Sequence, residues 1–180
     1  MLRAAYAVII GLFGAGIVHI AILLLIPEFS ERDAWSRLSM ASDFYTVTPL
    51  DTEVDGSPIV KSVDPLFVAA ACRFDISQGV MQLRSTGTAP FWSASVYNRA
   101  GQNIYSLNNS SSASGQIDFV VLSAEQMIEL RKDLPEEFLQ SVFVEAPVAE
   151  GIVVVRAFMP DATWKPAVDR YFSEMSCSRR

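Results

Sequence analysis

The chain has 180 residues, a net charge of −6, 51% hydrophobic and 19% charged residues, two cysteines and one histidine. It carries no Lys/Arg cluster and no basic–aromatic alternation, which argues against nucleic acid as a partner, because phosphate contacts supply most of that affinity. The lone histidine, His19, lies in an apolar run, so a Ser-His-Asp triad in the rest of the chain is excluded and a zinc site has too few ligands.

That run comes first. Ala4 to Ile26 reads AAYAVIIGLFGAGIVHIAILLLI, with His19 its one ionisable residue. It is long enough to cross a hydrocarbon core of about 30 Å as a helix. It ends Leu25-Ile26-Pro27-Glu28 without the small residues of a cleavage site, so the sequence predicts a retained signal anchor over residues 1–30. Arg3 precedes it, while Arg32 and Arg37 follow, so the Lys/Arg count does not favour a cytoplasmic N-terminus. A large following domain can be translocated regardless, and the expected orientation has the domain outside. Ala7, Gly11, Ala15 and His19 are spaced by four along one helix face. Such a stripe reads either as a helix–helix interface, with a second copy or another membrane protein, or as small residues tolerated among lipid.

Residues 31–43 form a polar juxtamembrane connector, with a continued helix expected through Trp35–Met40 and Trp35 suited to the membrane–water boundary. Roughly 145 residues follow the anchor, enough for one domain, placed at 44–180. Phe44–Leu50 is rich in strand formers, Asp51–Pro58 is loop-like, and Asp64-Pro65 begins an extended stretch. Phe67–Asp75, Val80–Ser85 and Phe91–Asn98 read as strands, the last placing Trp92, Ala94 and Val96 on one face. Arg99–Gln102 is a predicted hairpin turn into Asn103–Leu107. After a polar loop, Gln116–Leu122 is a further strand.

Ser123-Ala124-Glu125-Gln126 has the form of a capping box opening a short helix that Leu134-Pro135 breaks. Ser141–Ala146 and Gly151–Phe158 stand at hairpin distance. Asp161 is placed to cap a last helix over Ala162–Met175, with Trp164, Val168 and Phe172 on one face and a mobile tail beyond. The expected fold is α+β: a transmembrane helix, then a mostly antiparallel, sandwich-like β domain with two short helices late in the chain.

Cys72 and Cys177 both lie outside the apolar run. In an oxidising compartment an even pair reads as a disulfide, here closing a loop of roughly 105 residues; the alternative is two unrelated thiols.

The block DPLFVAAACRFDISQGVMQLRSTGTAPFWSASVYNRAGQNIYSLNNSSS resembles the core of the bacterial family called domain of unknown function 1254. It has an Asp-Pro before a strand, a CRFD-like strand end, a Gly after a short turn, and PFWS-x-S-x-Y before a hairpin. Later, EGIVVVRAFMPD resembles that family's final strand. The resemblance spans about residues 60–160. It implies an envelope location in the short, membrane-anchored branch and a companion protein carrying domain of unknown function 1214, but no reaction.

The strongest polar constellation is Arg73, Asp75, Tyr97, Asn98, Asn103, Tyr105, Asn108 and Asn109, a candidate ligand or partner site. The plainer reading makes Arg73–Asp75 an ion pair and leaves the Asn residues to satisfy turn backbone. The carboxylates Asp64, Asp75 and Asp118 have no visible pairing for acid–base work, Met81 and Leu83 read as core, and no cofactor motif occurs outside the apolar run. The expected role is a non-catalytic partner-binding domain in the periplasm, anchored in the inner membrane; the alternative is a small-ligand binder or enzyme with a cleft near Tyr97–Asn109.

Overall fold

A computed structural model describes residues 2–60, 64–112 and 114–180, with the side chains of residues 26–33 outside the description. The flanking charges Glu28, Glu31, Arg32 and Asp33 fall among those side chains.

The N-terminal run forms one unbroken helix, α1 (Leu2–Ala41), of which Leu2–Leu25 is long and apolar enough to cross a membrane. No part of that span is buried against the rest of the molecule. The helix continues past the apolar residues, and its last turns belong to the folded domain, where Leu38 is buried.

Among the described residues, eleven strands follow. β1 (Val47–Pro49), β4 (Phe67–Asp75), β10 (Glu150–Phe158), β6 (Trp92–Asn98) and β7 (Asn103–Asn108) make a five-stranded sheet in the order β1-β4-β10-β6-β7, antiparallel throughout. β11 (Met175–Arg179), β5 (Met81–Ser85), β8 (Asp118–Leu122) and β9 (Val142–Glu145) make a second sheet in that order, with β8 and β9 parallel. The small ribbon β2 (Glu53–Val54) and β3 (Ser57–Pro58) turns through Asp55 and Gly56, both at positive φ, inside the segment expected to be loop. An Asp-Gly pair suits such a turn because both central residues must adopt left-handed backbone.

The two sheets share one core. Cys72, Phe74, Trp92, Val96, Val153 and Val155 meet Met81, Leu83, Phe119, Val121, Val144 and Cys177. The expected alternation in β6 holds: Trp92, Ala94 and Val96 are fully buried. Trp92 also satisfies its indole by donating to the Gly115 carbonyl at 2.8 Å. Gly151 in β10 faces this core, where a Cβ would come within 2.5 Å of both the Phe74 ring and the Tyr97 carbonyl oxygen. Only a residue without a side chain lets β10 lie that close to β6.

Each outer face has its own cover. On the four-stranded sheet, Val80, Val120, Leu122 and Phe138 pack with Met127 and Leu130 of α2 (Ala124–Leu130). The expected capping box is present, the Ser123 hydroxyl accepting from the Gln126 backbone N–H and the Gln126 side chain accepting from the Ser123 N–H. On the five-stranded sheet, Leu38 of α1 packs with Ile59 and Ala71, joined by Ile152 and Val154.

Four expectations are corrected. The strands β9 and β10 form no hairpin: β9 joins the second sheet beside β8, and β10 is the centre of the first. The last helix is shorter than predicted. Asp161 caps a 3-10 turn at Ala162–Trp164, then α3 (Lys165–Ser173) buries Val168 and Tyr171 rather than a Trp164–Phe172 stripe, leaving Trp164 exposed. The C-terminal residues form β11, paired with β5, instead of a mobile tail. α2 also ends at Leu130, before Leu134-Pro135 is reached.

The cysteines are bonded. The Cys72–Cys177 disulfide joins β4 to β11, with Cα atoms 6.6 Å apart and a sequence separation of 105. It therefore fastens one sheet to the other at the strand that closes the chain.

Tyr171 is 1% exposed and its hydroxyl makes no hydrogen bond among the described residues. Burial pushes its ionisation well above the ordinary tyrosine range. An orphaned buried hydroxyl costs about 1–3 kcal/mol, so Tyr171→Phe is expected to stabilise the domain by about 1 kcal/mol in urea unfolding at pH 8. The sign with pH follows from linkage. Above about pH 10 the unfolded tyrosine ionises while the native one stays neutral, so the native protein loses stability as pH rises through that range. The Phe variant escapes this loss, and its advantage should widen at alkaline pH; a constant difference between pH 8 and 11 would contradict the assignment.

Candidate functional site

The outer face of the five-stranded sheet brings several predicted residues into one row. Ile152 of β10 is the register partner of both Arg73 in β4 and Tyr97 in β6, and Tyr97 is in turn the partner of Asn103 in β7. Arg73, Tyr97 and Asn103 therefore share a face, with Ile152 between the first two. Asp75 and Asn98 lie at the same end of the strands, near the predicted Arg99–Gln102 turn. That turn is built by Asn98, whose side-chain oxygen accepts from the Gln102 N–H at 2.9 Å, and by Gly101 at positive φ.

The other members lie elsewhere. Tyr105 is the partner of Val96, on the opposite face from Tyr97 and Asn103, at the sheet edge. Asn108 pairs with Ser93 at the far end of the hairpin, about 17 Å from Asn103 at roughly 3.4 Å per residue. Asn108 caps a 3-10 turn there through the Ser110 N–H at 3.0 Å, and Asn109 sits beside it. The eight residues thus do not form a single site.

Arg73 is only 6% exposed. Its guanidinium carbon stands 4.6 Å from the Phe44 ring centroid and 5.4 Å from that of Trp35, and Nη2 donates to the Ser42 carbonyl at 2.7 Å. Desolvation lowers its pKa from the ordinary value, while Asp43 and Glu150 act in the opposite sense; arginine remains charged nonetheless. Trp35 packs edge-on against Phe44 at 6.3 Å and also receives Arg99, 5.3 Å from its centroid. Trp35 is thus packed against the domain. Its contacts, with those of Leu38, seat the end of α1 on the sheet. The space beside Arg73 is filled by the chain's own aromatic rings.

Asp75 is not drawn to Arg73. Its carboxylate accepts from the Ser77 N–H at 2.9 Å, and hydrogen bonds from Ser77 hold its pKa below the usual range. The Tyr45 hydroxyl donates to the Asp75 carbonyl oxygen. Register places Glu150 directly opposite Asp75, and Arg99 offsets this like-charge pair by binding Glu150 at 3.0 Å. Asp75, Ser77, Asn98, Arg99, Val148, Ala149 and Glu150 line an open depression of about 630 Å³. The participation of Ser77, Arg99 and Glu150 was not foreseen, because the pairing of β10 with β4 cannot be read from either strand alone.

The remaining carboxylates have structural partners. Asp64 accepts from the Leu66 N–H at 2.9 Å, and Asp118 accepts from Gln82 at 3.2 Å and Ser141 at 2.8 Å on the other sheet. Among the described residues no three His, Cys, Asp or Glu side chains gather as metal ligands would. Met81 and Leu83 are core residues, as expected.

The fold defines an α+β protein: an apolar, membrane-length helix carried into a disulfide-linked β-sandwich. No protein-family model matches the sequence, and no curated protein matches it. Among solved structures, the fold is similar to a crystal structure of a Vibrio parahaemolyticus protein, with a TM-score of 0.58 and 8% identity over 86% of this chain. A putative uncharacterized protein from Burkholderia cenocepacia aligns with a TM-score of 0.48 and 12% identity over 73% of this chain. The chain spans about a third of the length of these proteins, 36% and 34%.

Proposed function

We propose that the chain is a single-pass envelope protein, anchored in the bacterial inner membrane, whose periplasmic domain binds a partner and performs no chemistry on it. The observation that carries this reading is the continuity of α1. The apolar span ends at Leu25, and Trp35 and Leu38 of the same helix are seated on the sheet. Trp35 lies ten helical steps beyond Leu25, about 15 Å. A domain held so near the bilayer is suited to meeting other membrane or envelope proteins.

Two further features support it. An inter-sheet disulfide persists in an oxidising compartment, which favours the periplasm over the cytoplasm. The surface beside Arg73 is filled by Trp35 and Phe44, and the nearby depression is open, both suited to a docking surface more than to an enclosed reaction site. Kinship with the domain of unknown function 1254 family, and a companion carrying domain of unknown function 1214, belong to this proposal on the strength of the sequence blocks quoted above. Purification from native membranes in mild detergent tests it: a stoichiometric complex is expected, and a monodisperse lone monomer would overturn it.

A further inference from the structure

We propose that the cleft between α3 and the β1 edge of the five-stranded sheet binds a single-chain phospholipid with an ammonium-bearing head, taken from the membrane that anchors the chain. The inference rests on the membrane-anchor part of the reading above and not on its partner.

The cleft has a volume of about 520 Å³, within the range of roughly 300–1,000 Å³ for small-molecule sites. One wall is the inner face of the sheet at its edge. Val47 of β1 is the register partner of Cys72, and Val68 and Ala70 of β4 share the face of Cys72. The other wall is α3, where Lys165, Asp169 and Phe172 follow the i, i+4, i+7 spacing of one helix face. Val168 and Tyr171 of the same helix go into the core instead. Val47, Val68, Phe172 and Met159 pack against the core yet stay half-buried, so the cleft offers an apolar interior that solvent reaches. At its floor Ala70 is 1% exposed, and its short side chain leaves room that a larger residue would fill.

The two parts of the cleft define the occupant. The interior suits a hydrocarbon chain. The exposed charges that line it, Asp51, Lys165 and Asp169, are of both signs. Lys165 Nζ donates to both Asp169 carboxylate oxygens, at 2.9 and 2.8 Å, while Asp51 has no ion pair among the described residues. A head with a phosphate and an ammonium complements this set, the phosphate toward Lys165 and the ammonium toward Asp51 and Asp169. The anchor supplies the source. Trp35, seated on the sheet, is about 15 Å along the helix from the end of the apolar span, which keeps the domain beside lipid. One acyl chain leaves a bilayer reversibly, whereas two hold firmly, so a ligand that exchanges between membrane and cleft carries one.

Full-length protein in phospholipid nanodiscs, offered lysophosphatidylethanolamine with a photoactivatable diazirine near the chain end, tests the site. Irradiation and peptide mapping are expected to place label on Met159 or Phe172. Ala70→Leu, which fills the floor, should remove that label with an unchanged melting temperature; Val68→Phe does the same from the half-buried wall if the first variant fails to fold. Asp51→Asn should weaken labelling about fivefold, the size of one exposed ion pair. A free fatty acid of the same chain length, lacking the ammonium, should compete less well than unlabelled lysophosphatidylethanolamine. Label confined to α1 in a chain that resides in the membrane fraction overturns the lipid site and leaves the anchor intact. Equal competition by the fatty acid overturns the choice of ligand. A chain recovered from the soluble fraction of cells overturns the anchor and the lipid source together.

Discussion

Replacing Cys72 by Ser should destabilise the domain by about 4 kcal/mol, measured by urea unfolding of the full-length protein in detergent. The bond closes 105 residues, and restricting a loop near 100 residues in the unfolded chain is worth about 4.7 kcal/mol in the chain-entropy account. Its placement makes the loss global. Cys177 lies in β11, a polar strand, MSCSR, held at the edge of the four-stranded sheet by pairing with β5. Without the bond, β11 is left to its ladder with β5 and to the Arg180 contacts with Val80 and Gln82, and Met175 loses part of its tie to the sandwich core. Reductant should reproduce the effect in the native protein and leave the Ser variant unchanged. A variant within 1 kcal/mol of the native protein would show that the sheets hold together without the link.

Leu38→Ala should cost about 2–5 kcal/mol, the range for truncating a buried leucine. Leu38 is 2% exposed and packs with Ile59 and Ala71, so the end of α1 is part of the apolar cluster on the outer face of the five-stranded sheet. The same contact predicts where the chain can be shortened. A variant beginning at Ala34 keeps Trp35 and Leu38 and should fold as a soluble domain. One beginning at Asp43 uncovers Ile59, Ala71 and Arg73 together and should unfold or aggregate. Equal stability of the two would mean that the helix end only rests on the sheet.

Local chemistry was the legible part of this molecule. The alternation of β6, the bounds of β4, the Ser123–Gln126 capping box and the turn at Arg99–Gln102 all follow from spacings of two to four residues. What escaped sequence reasoning depends on contacts far along the chain. β11 has no strand-like composition and exists because β5 and Cys72 hold it. β9 and β10 are adjacent in sequence yet belong to different sheets, a choice made by β8 on one side and by β4 and β6 on the other. The packing of Trp35 against Arg73, Arg99 and Phe44 likewise joins residues far apart in the chain. The candidate site divided for the same reason. Arg73, Tyr97 and Asn103 share a face through register, whereas Asn108 and Asn109 are carried to the other end of the hairpin.

The redox state of the cysteines in living cells tests the account most directly, because it joins the inter-sheet bond to the compartment proposed for the domain. Cells are quenched in acid, and the protein is denatured and alkylated with a mass-adding maleimide, with and without prior reduction. Denaturation is essential, since Cys72 and Cys177 are both buried. Two added masses only after reduction is the predicted result. Two added masses without reduction would mean free thiols, and would contradict both the bond and the periplasmic placement.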